Sequence, residues 1–196
     1  YRVTINTFHG FANEVIGTFP HIFAVTRNLT QLDDLERLLL VEGLVTKNSQ
    51  LKFLRPLRQE TSHVRDIASA TRTSKQEAVT ADQIRDHVLK LNNEPPKKTK
   101  AGQEIQLRQI GILTEFADLY EAYQAALTNN AVYDYEDMIL FVLAALADNA
   151  EVKAYFQERY QYILVDEYQD TNNAQNKLVE VLADFFETPN LFVVGD

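Results

Sequence analysis

Two adjacent carboxylates, Asp166 and Glu167, follow the apolar run Tyr162-Ile163-Leu164-Val165. A short apolar run ending in charge reads as a buried strand that delivers polar side chains at its C-terminal end. In open parallel sheets, ligands bind at that edge. Two carboxylates there can divide a hydrolytic task. The aspartate can hold a magnesium ion that bridges the β and γ phosphates of a nucleotide. The glutamate can take a proton from the attacking water. Taken alone, the pattern more often marks only a strand end. Gln169, Asp170, Thr171 and Asn172 extend it with further polar groups, although Asp170 also reads as a favourable charge before a helix. Val193-Val194-Gly195-Asp196 is a second apolar run ending in acid. A helix joining the two runs would make a βαβ unit with Asp166, Glu167 and Asp196 at one edge.

The elements that must position these groups can be read from periodicity and caps. Val3 to Thr7 reads as a strand and Phe8 to about Gly17 as a helix leaving it. Thr30 is a candidate N-cap for a helix carrying Leu32, Leu35, Leu38 and Leu39, with Gly43 as its stop. Residues 51–72 read as helical. Thr80 with Gln83 forms a capping box that opens a helix to about Leu91. Asn92 to Gly102 is a loop rich in Pro and Lys, followed by a long helix from about Glu104 to Leu127. Its Phe116, Tyr120, Tyr123 and Leu127 are expected to pack rather than bind. Tyr135–Ala147 and Glu151–Tyr160 read as helices. Asn172 caps another, to about Phe186, before the strand Leu191–Val194. Strands are thus expected only near the two ends, with a helix-rich insertion between them inside an α/β domain.

The chain has 196 residues, of which 45% are apolar and 24% charged, as in ordinary globular proteins. It contains no cysteine, which excludes disulfides and thiolate metal sites. No stretch is long and apolar enough for a membrane span, and a cytoplasmic setting is the default expectation. The net charge of −9 is uneven: residues 131–196 hold 3 bases and 13 acids, while residues 47–108 hold 13 bases and 7 acids. A locally basic surface can bind phosphates on an acidic protein. The chain starts at Tyr1 without a methionine, and both its ends fall on strand-like residues, so it reads as a piece of a longer protein.

Four stretches together resemble the UvrD/Rep/PcrA type of superfamily 1 DNA helicase. They are Thr7-Phe8-His9-Gly10-Phe11, Tyr133-Asp134-Tyr135-Glu136-Asp137-Met138, Leu164 through Asn172, and Val193-Val194-Gly195-Asp196. The third is similar to the family's Walker B motif almost letter for letter. The resemblance implies an α/β fold: part of a RecA-like P-loop parallel sheet with a large, mostly helical inserted subdomain. Residues 1–15 and 131–196 would be parts of motor domain 1A, and residues 16–130 the inserted subdomain 1B. It further implies that Asp166 holds Mg2+ and that Glu167 is the general base for hydrolysis of ATP. Gln169 and Asp170 would couple the nucleotide site to neighbouring motifs. Thr7, His9 and Phe11 would lie along single-stranded DNA, where a ring can stack on a base. His9 has a plainer reading too, as a histidine satisfying a backbone carbonyl. Asp134 and Asp137 are open between the DNA path and helix capping, with structure favoured for Asp134. The implied partners are single-stranded DNA and its junctions with duplex, and the implied direction is 3′ to 5′.

The chain carries no Gly-x-x-x-x-Gly-Lys-Ser/Thr loop, so the fragment alone is expected to lack ATPase activity. Three alternatives remain at this point. One is a magnesium-dependent nuclease with Asp166, Glu167, Asp170 and Asp196 as ligands. Another is a helical DNA-binding or protein-binding module without catalysis. The third is a translocase that does not unwind.

Overall fold

Asp33, Thr80 and Asn172 each start a helix by the same device. The side chain of each accepts from the backbone N–H three residues on, and Glu36, Gln83 and Gln175 accept in return from the cap's own N–H. Each exchange satisfies two amides that the first turn leaves without partners. The computed structural model describes residues 3–24, 28–56, 61–185 and 187–196. In chain order its elements are α1 (Phe8–Thr18), β1 (Thr30–Gln31), α2 (Asp34–Lys47), α3 (Val64–Gln76), α4 (Ala81–Asn93) and α5 (Lys100–Asn129). There follow β2 (Val132–Tyr133), α6 (Asp137–Asp148), α7 (Ala150–Arg159), β3 (Ile163–Val165), α8 (Asn173–Ala183) and β4 (Leu191–Val193). The fold is mixed α/β, mostly helical, with two small parallel sheets among the described residues. No helix of the described residues is long and apolar enough to cross a membrane.

The chain divides into two units: residues 1–29, 75–78 and 135–196 form the first, and residues 30–74 and 79–134 the second. In the first unit, α6 packs against α1, α7 and α8. Ala12, Val15, Val142, Leu146, Val152, Phe156 and Leu178 are buried there. Phe156 lies at the centre of an aromatic cluster, with Phe11 and Phe19 meeting its ring edge-on. Strands β3 and β4 pair in parallel, Ile163 opposite Leu191 and Val165 opposite Val193, and α8 connects them as the βαβ pattern requires. Val165 is buried, whereas Leu164 and Phe192 are exposed.

The 30-residue helix α5 dominates the second unit. It packs against α4 and α2 over a core that includes Val41, Val45, Ile84, Ala117, Leu119, Tyr120, Tyr123 and Leu127. The aromatic side chains of this helix are packing residues, as its spacing predicts. The short strands β1 and β2 pair in parallel, Thr30 opposite Val132.

Four sequence expectations are corrected. Thr30 does not cap α2, because its N–H is engaged by the Ala131 carbonyl and that of Leu32 by the Tyr133 carbonyl. The strand pairing thus postpones the helix to the Asp33 cap, and a strand pair sits where only helix and loop were expected. Gly43 does not stop α2, which continues to bury Val45. A mid-helix glycine costs only about 1 kcal/mol, less than burying a valine gains. Residues 51–56 are not helical. The amides of Lys52, Phe53 and Leu54 all point at the Glu115 carboxylate on α5, at 2.6 to 3.2 Å. Four residues of the expected 51–72 helix, 57–60, lie outside the described residues. Val3 to Thr7 is not a strand: Val3 and Ile5 are 81% and 91% exposed. Apolar alternation alone supplies no partner for the backbone.

Residues 75–78, at the end of α3 and just after it, belong to the first unit. Ala78, at φ 49°, turns the chain away, and the N–H of Val79 closes on the Ser74 carbonyl. Lys75 is fully buried and pairs with Asp137 at 2.7 Å.

Candidate functional site

Strand β3 stops at Val165, and the four residues that follow make a tightly determined turn. The N–H of Val194 donates to the Val165 carbonyl, and that of Tyr168 donates to the Val194 carbonyl, both at 2.9 Å. Between them the backbone of Glu167 sits in the left-handed region, φ 51° and ψ 45°. That conformation costs a non-glycine residue roughly 1–2 kcal/mol, and it persists where the surroundings over-determine it. Asp166 Oδ1 accepts from the Glu167 N–H at 3.0 Å. Tyr168–Asp170 closes as a single 3-10 turn, with the Asp170 N–H on the Glu167 carbonyl.

The side chains complete the arrangement. Gln169 Nε2 donates to Glu167 Oε2 at 2.6 Å, and Gln169 Oε1 accepts from the Asp196 N–H at 3.2 Å. One amide therefore joins the Glu167 carboxylate to the end of the neighbouring strand. Gly195 is what lets it through, since a Cβ there would run into Gln169 Oε1. Asp166, Glu167, Gln169 and Asp170 are all exposed, so their side chains can reach a ligand. Asp166, Glu167, Gln169 and Asp196 share one sheet edge, and Asp170 stands on the turn leading to α8.

A carboxylate donor set suits magnesium, which takes one or two protein oxygens and fills its octahedron with phosphate and water. Asp166 at the strand end fits that demand. Among the described residues, no three His, Cys, Asp or Glu groups are arranged to hold a metal ion.

Thr7, His9 and Phe11 lie at the start of α1. Thr7 is the N-cap, and its Oγ1 accepts from the Gly10 N–H at 3.0 Å. His9 donates from Nε2 to the Tyr135 carbonyl at 3.1 Å, and its ring lies flat on that of Tyr135, with centroids 3.6 Å apart and planes 11° apart. The His9 pKa is lowered by burial, which outweighs the Tyr135 carbonyl and the Glu136 charge acting the other way. Tyr135 is 44% exposed. Phe11 is 9% exposed, its ring edge-on to Phe156 and Tyr160, and it serves the core. Asp134 is buried and accepts from the Tyr123 hydroxyl at 3.1 Å, a structural role. Among the described residues no hydrogen bond or ring contact joins the His9 group to the Asp166 group.

Two participants escaped the sequence reading. Tyr135 was part of a quoted motif, but nothing in its spacing marked it as the partner of His9. Lys75 had no signal beyond being one of many bases in a basic stretch.

The sequence model of the UvrD/REP helicase N-terminal domain matches residues 1–196. The chain is 29% identical over 195 residues to the ATP-dependent DNA helicase PcrA of Bacillus subtilis (strain 168), covering 99% of this chain and 22% of that protein. It is 27% identical over 194 residues to the ATP-dependent DNA helicase Rep of Buchnera aphidicola subsp. Baizongia pistaciae, covering 99% of this chain and 24% of that protein. Against PcrA of Staphylococcus aureus (strain Mu50) it is 46% identical over 80 residues, which are 41% of this chain and 11% of that protein. The chain spans under a quarter of the length of these relatives.

Proposed function

The chain belongs to the UvrD/REP helicase N-terminal domain family, and from that premise we propose that it is part of the first motor domain of an ATP-driven DNA helicase. Residues 1–15 and 131–196 are read as parts of a RecA-like domain 1A, and residues 16–130 as the inserted subdomain 1B. The Asp166–Asn172 turn is read as the Walker B motif. Asp166 would hold Mg2+, which when bound neutralises charge on the β and γ phosphates of ATP.

The observation that carries this reading is the strained Glu167, whose carboxylate is tethered through Gln169 to the next strand. A general base must be held within reach of the water it deprotonates. Here the left-handed backbone and one amide hydrogen bond do the holding. Glu167 accepts the water proton, and Gln169 orients the carboxylate. Asp170 and Gln169 pass the state of the site to the adjoining elements. Thr7 and His9 face single-stranded DNA, with Phe11 supporting α1 from the core side. The substrate is single-stranded DNA and its junction with duplex, tracked 3′ to 5′. The phosphate-binding loop is assigned to sequence outside these 196 residues, so the chain alone does not hydrolyse ATP.

The test uses the full-length protein. Glu167→Gln should lower ssDNA-stimulated ATP hydrolysis by roughly 10²–10⁴-fold, the usual worth of a general base, while ATP still binds. Asp166→Ala should weaken Mg2+-dependent nucleotide binding as well. Hydrolysis at the parental rate in Glu167→Gln would remove Glu167 from the chemistry. Cleavage of DNA without ATP, lost in the same variants, would replace the helicase with a nuclease.

A further inference from the structure

We propose that residues Lys75–Ala78 form a brace tying the His9–Tyr135 pair to the Asp166–Asn172 turn, with Lys75 as its principal positioning residue. The inference rests on the reading above, in which the pair faces DNA and the turn faces ATP. It concerns the first unit alone, to which all these residues belong.

The brace has two ties. At one end, Lys75 Nζ lies 2.7 Å from Asp137 Oδ1, with the lysine side chain 0% exposed and the aspartate 7%. Asp137 opens α6 two residues after Tyr135. Holding Asp137 therefore holds the carbonyl that His9 bonds and the ring on which His9 lies. At the other end, Asn173 Nδ2 donates to the Glu77 carbonyl at 2.8 Å. Asn173 is the first residue of α8, directly after its Asn172 cap and two residues after Thr171, where the turn following Glu167 closes. Only Gln76 thus separates the tie to the DNA-facing segment from the tie to the nucleotide-facing one. Ala78 follows in the left-handed region, and the N–H of Val79 closes on the Ser74 carbonyl.

Stability is a poor reason for such a lysine. A buried ion pair is often matched or bettered by apolar side chains of similar volume, whereas losing one partner is severe. What the pair supplies is a single geometry for the start of α6. Coupling between two sites needs an element that both sites can bias, and the segment from Lys75 to Glu77 touches both.

The experiment measures ATP hydrolysis by the full-length protein with and without single-stranded DNA. Lys75→Met/Asp137→Asn removes both charges at nearly constant volume. Asn173→Ala removes only the second tie, at an exposed position. In both variants the DNA-independent rate and the KM for ATP should stay at parental values, while stimulation by DNA falls, about tenfold for the double variant, within the ordinary range of site-to-site coupling. A folded variant with parental Tm and full stimulation overturns the brace. If the double variant does not fold, the result for Asn173→Ala decides. A parental protein whose hydrolysis ignores DNA overturns the helicase reading and the brace with it; parental stimulation that both variants retain overturns the brace alone.

Discussion

His9 shows how much one side chain can be asked to do. Its ring stacks on Tyr135, its Nε2–H is spent on a backbone carbonyl, and burial holds its pKa below the ordinary 6.5. The carbonyl bond is the plainer role that the sequence allowed for it, and the stacking partner is what the sequence did not show. A lowered pKa has a definite sign in stability. Well above pH 6.5 neither the folded nor the unfolded chain protonates His9, and it adds no slope. As pH falls through 6.5 the unfolded chain binds the proton first, so stability drops until the lower folded value is passed. His9→Gln keeps a donor for the Tyr135 carbonyl and removes the titration. Urea unfolding between about pH 8 and about pH 5 should therefore show a shallower acid-side loss in the variant. Equal slopes would mean that His9 titrates alike in both states.

At the scale of elements, the second unit depends on a carboxylate acting as a cap for a non-helical segment. Glu115 receives the amides of Lys52, Phe53 and Leu54 in succession, and Gly111, one turn earlier on α5, makes room for the Phe53 ring. Glu115→Gln exchanges one acceptor oxygen for a donor facing donors. It should cost about 2 kcal/mol, since hydrogen bonds to charged groups are the stronger kind. Gly111→Ala should cost about 1–3 kcal/mol by overpacking against Phe53, despite its gain in helix propensity. Denaturant unfolding checks both, and a stabilised Gly111→Ala would show that the ring can yield. These contacts also explain where sequence reading stops. The capping box at Thr80, the cap at Asn172 and the strand at Ile163–Val165 were legible because cap and periodicity are local. Residues 51–56 and the β1–β2 pair were not, because their backbone partners lie more than 60 residues away. Within the candidate site, Asp166 and Glu167 stood out by type and order. The Gln169 tether and the Lys75 pair are long-range or geometric facts that no spacing carries.

At the scale of the whole molecule, charge and length set what the isolated chain can do. Its basic residues concentrate in residues 47–108; the exposed loop before α5 carries Lys97 and Lys98, and Lys100 opens that helix. Despite a net charge of −9, the 196-residue chain should bind single-stranded DNA weakly and with steep salt dependence. Replacing those three lysines by glutamine should reduce the slope of log K against log salt by roughly 2, at about 0.7 per phosphate contact on single strands. An unchanged slope would take the loop off the DNA. The same preparation should show no ATP turnover with Mg2+, and turnover abolished by Glu167→Gln would contradict the assignment of the phosphate-binding loop to sequence elsewhere.

The two-residue ladder between Thr30–Gln31 and Val132–Tyr133 brings together the points where the chain enters and leaves its long helical excursion, running in the same direction. Closing so large a loop carries an entropic cost that grows only logarithmically with its length. Evolution can therefore lengthen or trim the excursion at its exposed tip, around Glu94–Lys98, at almost no thermodynamic cost to this closure. The burden falls on kinetics instead. A parallel pairing of such sequence separation forms slowly, so during synthesis the helices between should assemble first and the ladder should lock last.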